Sequence, residues 1–294
     1  MSPDPQRCWA SGRITVVADN TLRVEDILRR FPSPVFLGGG GQKQVYRVDH
    51  PEHGAVVVKI GSCRSAQELE RIQREVDLLC DLDSPYFPKQ FAFERWDSQR
   101  FCIVEQCVPG QPLTELLDRI ADEAAALGLL RQLICGMSLL WSRRVVHRDL
   151  KPANIMIAED HPRIIDLGIA RVLDGTSLTM SHAPFGPCTP NYASPEQLTN
   201  RKRDIDHRSD QFILGIDIAQ ILLGGVHPFD PHGVRQGASI PENIFNGRWC
   251  RDTLRQRCAS STYTLLERML GHHPYQRFRR HEDLAQALSA LNEG

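Results

Sequence analysis

No C-x-x-C pair occurs among the nine cysteines, which stand at 8, 63, 80, 102, 107, 135, 188, 250 and 258. Without that spacing a zinc site is not expected. The odd count and the chain length speak against a disulfide framework. The cysteines are therefore expected to be reduced thiols of a cytoplasmic protein. Cys188 is expected to be more exposed than the rest, and reactive only if its pKa is depressed. Net charge is also missing: 35 basic and 36 acidic residues leave −1. That balance argues against nucleic acid as a primary partner. No apolar stretch is expected to approach the ~18 residues that cross a bilayer, so membrane insertion is not expected. Met1 to Ala10 carries prolines and charges rather than the apolar core of a secretory signal, and Ile14 to Ala18 is too short to supply one. There is no internal repeat and no low-complexity tract.

What remains is a globular composition, 41% hydrophobic and 24% charged over 294 residues. It has ample material for a core and room for one to two domains. The most informative stretch is His147-Arg148-Asp149-Leu150-Lys151-Pro152-Ala153-Asn154. It sets a carboxylate, an ammonium and a carboxamide close together, in an order that suits phosphoryl transfer. Asp149 can accept a proton from an attacking hydroxyl. Lys151 can neutralise charge on the moving group, and Asn154 can offer its carbonyl oxygen to magnesium. Asp166-Leu167-Gly168 follows the apolar pair Ile164-Ile165 and supplies a second metal-ligand candidate. Together these resemble the catalytic loop and metal-binding loop of the protein kinase family.

Further motifs come in that family's order. Leu37-Gly38-Gly39-Gly40-Gly41-Gln42-Lys43-Gln44-Val45-Tyr46 resembles its glycine-rich loop, where small residues let backbone amides approach ATP phosphates. Gly38 and Gly40 fit the first two glycine positions, Lys43 stands at the third, and Val45 fits the valine that packs on adenine. Alone, four glycines are more often a flexible turn. Val56-Val57-Val58-Lys59-Ile60 reads as a strand interrupted by a charge. By itself that is an edge-strand lysine; by the resemblance, Lys59 pairs with the α- and β-phosphates. Its acidic partner is expected on a helix over 65–82, where Val76, Leu79 and Leu82 repeat at helical spacing. Arg74-Glu75-Val76-Asp77-Leu78-Leu79 resembles the family's segment that carries this glutamate, which implies Glu75 over Glu68 and Glu70. Phe101 to Glu105 reads as a buried strand leading to a hinge at Gln106-Cys107-Val108, whose backbone would bind adenine. This register puts Glu105 at the back of the pocket, where a buried carboxylate requires a partner.

In the large lobe, Pro109-Gly110 marks a turn, Pro112 is expected to start a helix, and 122–142 reads as a long helix. Cys188 to Glu196 resembles the end of the activation segment of Ser/Thr kinases. There Thr189 would bridge Asp149 and Lys151, and Glu196 would pair with Arg277. Asp210, in a run similar to bacterial members of the family, would brace the catalytic loop. His147 would be structural, packed with Leu167 and Leu79. Thr176, Ser177, Thr179 and Ser181 are candidate phosphorylation sites, with Arg148 placed to receive the phosphate. Residues 1–34 form an N-terminal extension. Thr21 to Phe31 is a candidate amphipathic helix packed on the small lobe, a docking arm for a regulatory partner being the sharper alternative.

The resemblance covers about 35–290. It implies an α+β, two-lobed fold with a β-rich N-lobe at about 35–108 and a mostly helical C-lobe at about 109–290. The implied activity is ATP-dependent phosphorylation of protein serine and threonine, with autophosphorylation on the activation segment. ATP and Mg2+, with Mn2+ as a substitute, are the implied cofactors. ATP would bind between the lobes, its phosphates positioned by Gly38, Gly40 and Lys59, its adenine by Val45, Gln106 and Val108, and its metal by Asn154 and Asp166. Asp149, Lys151, Lys59, Glu75 and Thr189 would serve catalysis. Two other readings compete. A pseudokinase scaffold is weakly favoured by Lys43 and Glu105. A small-molecule kinase of the same fold is disfavoured by the Thr189 to Glu196 segment, which suits a peptide.

Overall fold

The computed structural model describes residues 15–16, 24–29, 33–40, 43–63, 65–80, 82, 84–97, 99–120, 122–158, 161–166, 189–230 and 237–291. The backbone divides into two compact units that change over at Val108–Pro109.

The first unit is built on a six-stranded sheet in the order β1-β5-β6-β4-β3-β2. Its strands are β1 (Thr15–Val16), β2 (Val35–Gly40), β3 (Lys43–His50), β4 (Gly54–Ser62), β5 (Gln90–Arg95) and β6 (Arg100–Gln106). Strand side chains alternate between faces, and the pattern in β4 and β6 is decisive. Val56, Val58 and Ile60 share one face with Cys102 and Val104, forming a buried cluster with Val48 and Trp96. Val24 and Leu28 of helix α1 (Val24–Leu28) pack on that cluster. This short helix lies inside the expected Thr21 to Phe31 span, and β1 joins the sheet parallel to β5. The described parts of the N-terminal extension thus belong to this unit.

Alternation sends Lys59 and Glu105 to the other face, together with Ile103 and Phe93. On the α2 side the helix (Ala66–Cys80) contacts β5 and buries Leu69, Ile72 and Val76 at helical spacing. The β2–β3 hairpin carries the glycine-rich run. A Cβ on Gly39 would lie 2.5 Å from the Lys43 carbonyl oxygen, so the two strands close only around glycine.

The second unit holds a three-stranded sheet, β7 (Gln111–Pro112), β8 (Ile155–Ala158) and β9 (His161–Ile164), and the remaining helices. Pro112 does not start an α-helix as expected. It ends β7 with an extended ψ of 144° and leads into a 3-10 turn at Leu113–Glu115. The long helix α3 (Glu123–Trp141) is capped by Asp122, whose side chain accepts the Ala125 amide at 2.8 Å. One expectation is corrected here. This 19-residue helix has a mean hydropathy of 1.5 and is long and apolar enough, by length and composition, to cross a bilayer. In the structure its Leu130, Leu133, Met137 and Leu140 are buried in the unit's core.

Beyond it lie α4 (Pro195–Leu198), α5 (His207–Leu222), α6 (Ile240–Phe245), α7 (Arg251–Arg257), α8 (Ser260–Met269) and α9 (His281–Ala290). α5 is buried at every position from Ser209 to Ile221, so it is the axis of the unit rather than an amphipathic surface helix. Next to it the expected Glu196–Arg277 pair forms. Arg277 Nη1 and Nη2 donate to Glu196 Oε1 and Oε2 at 2.7 and 3.0 Å, with both side chains almost fully buried. The Ser209 hydroxyl donates to Glu196 at 2.6 Å, and Arg277 also donates to the carbonyls of Gly271, Arg208 and His272. Burial would raise the Glu196 pKa, but the Arg277 charge and these hydrogen bonds outweigh it and hold the carboxylate below its usual range.

Arg277→Ala leaves that carboxylate buried and alone, and is expected to remove about 3–5 kcal/mol of stability in urea unfolding near neutral pH. Because folding depresses the Glu196 pKa, its contribution is present above the ordinary carboxylate pKa of about 4.3 and lost as pH falls through the lower folded value. The gap between wild type and variant should therefore narrow on acidification.

Candidate active site

In the second unit the His147–Asn154 run is a loop, ending in a 3-10 turn at Pro152–Asn154, hung on one buried carboxylate. Asp210, in the first turn of α5, accepts the Trp141 indole Nε1–H at 3.0 Å, the His147 amide at 3.0 Å and the Arg148 amide at 3.1 Å. Burial pushes the Asp210 pKa up; His147 and the three N–H donors oppose that rise. His147 is itself fully buried. Burial lowers its pKa, and its Nδ1 accepts the Asp149 amide at 3.3 Å. Arg148 takes a left-handed φ of 64°, unusual for a residue with a Cβ. Its backbone is gripped at both ends: the amide by Asp210, the carbonyl by Gln197 Nε2 at 2.7 Å. Gln197 is in turn fixed by the Ser194 amide and hydroxyl, both of which donate to its Oε1. The loop is strained, and its surroundings hold it so.

The grip turns Asp149 into a triangle of side chains. Thr189 Oγ1 donates to Asp149 Oδ1 at 2.8 Å, while Lys151 Nζ reaches Thr189 Oγ1 at 3.0 Å and Asp149 Oδ2 at 3.2 Å. All three groups are partly accessible. Asn154 Nδ2 donates to the Asp149 carbonyl at 2.7 Å, which fixes the amide so that Oδ1 remains as an acceptor. Strand pairing then brings the second metal-ligand candidate near. Ile155 pairs with Ile164, and the Ile165 amide donates to the Asn154 carbonyl at 2.9 Å. Asp166 follows directly, with a left-handed φ of 60°.

In the first unit, register gathers another group. Gly38 pairs with Val45, and Val45 pairs with Lys59, so the three form one row across β2, β3 and β4. Lys59 Nζ lies 2.6 Å from Glu105 Oε1, with both side chains buried. Glu105 Oε2 accepts Gln90 Nε2 at 3.1 Å. The partner that a buried Glu105 requires is therefore present, and it is Lys59. Glu75 lies on α2; its side chain, like that of Glu68 and Leu79, falls outside the described residues. Glu70 is exposed. At the end of β6, the Gln106 amide donates to the Lys89 carbonyl at 2.8 Å and the Cys107 amide to the Ala55 carbonyl at 3.3 Å. The sheet thus uses both amides before the chain reaches Val108.

Sequence reasoning missed several contributors. Trp141 and Gln197 hold the catalytic loop through contacts 69 and 49 residues apart in sequence, and no local pattern signals either. The Lys59–Glu105 pair did leave a signal: one charge in each of two apolar strands. Leu167, Cys188, Thr176, Ser177, Thr179 and Ser181 lie outside the described residues, as do Gly41 and Gln42 of the glycine run.

Comparison with known proteins agrees with this geometry. The family "Protein kinase domain" matches residues 33–288. The chain belongs to the protein kinase domain family. Among curated relatives, it is 30% identical over 217 residues to "Serine/threonine-protein kinase pkn3" of Myxococcus xanthus, covering 69% of this chain and 39% of that protein. It is 32% identical over 206 residues to "Serine/threonine-protein kinase pkn2" of the same organism, covering 66% of this chain and 24% of that protein. The chain thus spans well under half the length of either. In fold it is similar to the crystal structure of Rad53 1-466 in complex with AMP-PNP, with a TM-score of 0.67 at 23% identity over 89% of this chain and 65% of that one. The β-rich first unit and helical second unit are the two lobes of the kinase fold.

One buried group in this kinase domain has no counterpart in the networks above. Asp217 lies two turns after Asp210 on α5, fully buried, and neither carboxylate oxygen has a partner among the described residues. Burial raises its pKa well above the ordinary value. Such a group makes folding less favourable as pH rises from its unfolded pKa, about 3.9, towards its folded one. Asp217→Leu should therefore stabilise the domain by about 1–3 kcal/mol near neutral pH. The gain should grow as pH rises above about 4 in thermal unfolding. The opposite result is expected for Lys59→Met, which strands the Glu105 charge and should remove about 3–5 kcal/mol. The double variant with Glu105→Leu should recover most of that loss.

Proposed function

We propose that this domain is an ATP-dependent Ser/Thr protein kinase. The observation that carries the reading is the Asp149–Lys151–Thr189 triangle, because it joins a general base, a cation and the end of the activation segment within hydrogen-bond distance. A serine or threonine hydroxyl of the acceptor protein donates its proton to Asp149 as its oxygen bonds to the γ-phosphorus. The bond from that phosphorus to the β–γ bridging oxygen breaks in line, and ADP leaves. Lys151 offsets charge on the moving phosphoryl group, and Thr189 keeps Asp149 and Lys151 in register. Little covalent work falls to the protein, so rate gain comes from positioning and electrostatics.

Gly38 and Gly40 receive the phosphates on backbone amides, Lys59 contacts the α- and β-phosphates, Val45 packs on adenine, and the backbone of Val108 anchors it with Gln106. Asn154 Oδ1 and the Asp166 carboxylate are hard oxygen donors suited to magnesium, which takes one or two carboxylates and otherwise water and phosphate. Held by Asn154 and Asp166, a divalent cation would supply positive charge against the phosphates. Autophosphorylation on Thr176, Ser177, Thr179 or Ser181 belongs to the same reading, with Arg148 as the receiving cation. The seven described cysteines stand as thiols rather than disulfides, which supports a place in the reducing cytoplasm. One observation favours a second reading, a nucleotide-binding scaffold: Lys59 is engaged by Glu105.

The test is transfer of labelled phosphate from ATP with Mg2+, to the protein itself and to a generic protein acceptor. Wild type should label serine and threonine, and Asp149→Asn should lower the rate by about 10²–10⁴-fold. Thr189→Ala should lower it less, because the base remains. Binding of Mg·ATP without transfer by wild type would instead establish the scaffold.

A further inference from the structure

The buried pair of Lys59 and Glu105 has a consequence for how the phosphate-binding lysine is held. Lys59 sits on β4, Glu105 on β6 and Gln90 on β5, three adjacent strands. Glu105 stands opposite Val57 on one side and Gln90 on the other, while Lys59 stands opposite Ile103. The ion pair is therefore a diagonal contact on one face of the sheet, within reach of long side chains. One carboxylate oxygen takes the ammonium at 2.6 Å and the other takes the Gln90 amide at 3.1 Å. A lysine side chain is a flexible four-carbon stem with a point charge at its end. Here a partner on the neighbouring strand fixes that charge, and the two strands share a continuous run of paired residues from Val56–Gln106 to Ser62–Arg100.

We propose that Glu105 is a positioning residue for Lys59, setting the direction of its ammonium from the sheet itself. This inference deepens the kinase reading and rests on it. It also carries an electrostatic signature. A phosphate arriving at Lys59 meets an ion pair rather than a lone cation, so Glu105 weakens ground-state attraction for the nucleotide while keeping the ammonium aligned. Removing its charge should loosen alignment and free the cation at once.

Steady-state turnover of ATP and protein acceptor is compared for wild type, Glu105→Gln and Glu75→Gln, with thermal unfolding to confirm that each is folded. Glu105→Gln keeps the shape and an oxygen for Gln90. Its kcat should fall about 100-fold, as for a misplaced catalytic group, while KM for ATP stays level or falls. Glu75→Gln should lower kcat less. A larger loss in Glu75→Gln, or a raised KM with unchanged kcat in Glu105→Gln, would overturn the proposal. Should Glu105→Gln fail to fold, Glu105→Asp keeps the charge but draws it back by one methylene. A fall in its kcat supports the proposal and an unchanged kcat refutes it. If wild type shows no turnover, the kinase reading fails by itself. The Lys59 link is then read from the Lys59 ammonium signal in NMR, identified by its loss in Lys59→Arg. A sharp wild-type signal that broadens in Glu105→Gln sustains the link, and one that does not change removes it.

Discussion

Three N–H groups converge on the Asp210 carboxylate, and the geometry of the catalytic loop depends on that convergence. The loop's regular structure is confined to a single 3-10 turn at Pro152–Asn154, and Arg148 ahead of it adopts a backbone conformation that most residues avoid. A carboxylate accepting backbone amides supplies what a strand or helix would otherwise supply, a fixed place for each N–H. α5, buried from Ser209 to Ile221, carries that carboxylate. The position of Asp149 is therefore referred to the centre of the fold, through two backbone amides and one indole, rather than to the surface on which it works.

The same economy governs the other buried charges. Glu196 and Arg277 form a fork-to-fork pair whose remaining hydrogen-bonding capacity is taken up by Ser209 and three carbonyls. Lys59 and Glu105 neutralise each other, and Gln90 takes the spare oxygen. A buried ion pair of this kind is a weak source of net stability, since desolvation opposes its Coulombic gain, but it penalises any arrangement that separates the partners. These pairs specify which segments sit together more than they hold the protein up. Asp217 departs from the pattern. Its carboxyl is buried on the same helix as Asp210, and among the described residues neither of its oxygens has a hydrogen-bond donor.

Much of the fold was legible because its strongest signals are local. The β-branched run at 56–60 and the helical spacing expected over 65–82 each act within a few residues, although of the repeat Val76, Leu79 and Leu82 the last lies past the helix end at Cys80. Motif order pointed to Asp149, Lys151, Asn154 and Asp166, whereas the row from Gly38 through Val45 to Lys59 emerges only from strand pairing in the structure. What was not legible depends on contacts across long stretches of chain. Trp141 reaches Asp210 and Gln197 reaches Arg148 only once the helices have packed. Pro112 looked like a helix start because proline suits a first helical turn. In the fold its neighbour Gln111 is already paired to β8, so the extended conformation wins. The apolar helix at 123–141 escaped a count of apolar runs because Glu123, Gly128, Arg131 and Gln132 break the run without breaking the average.

Glu105 shows how a departure from a family pattern can be read physically. A carboxylate in a buried strand is tolerable only if something pays its desolvation, and in a sheet the available partners are fixed by register. Counting along β4 and β6 leaves Lys59 as the cation on the same face, two residues displaced. The two charges that look anomalous in two separate apolar strands are thus one feature. Because both ends of that feature lie on paired strands, the strand pairing fixes how far apart their backbones stand. A lysine held this way is ready before a nucleotide arrives, and its alignment is a property of the sheet.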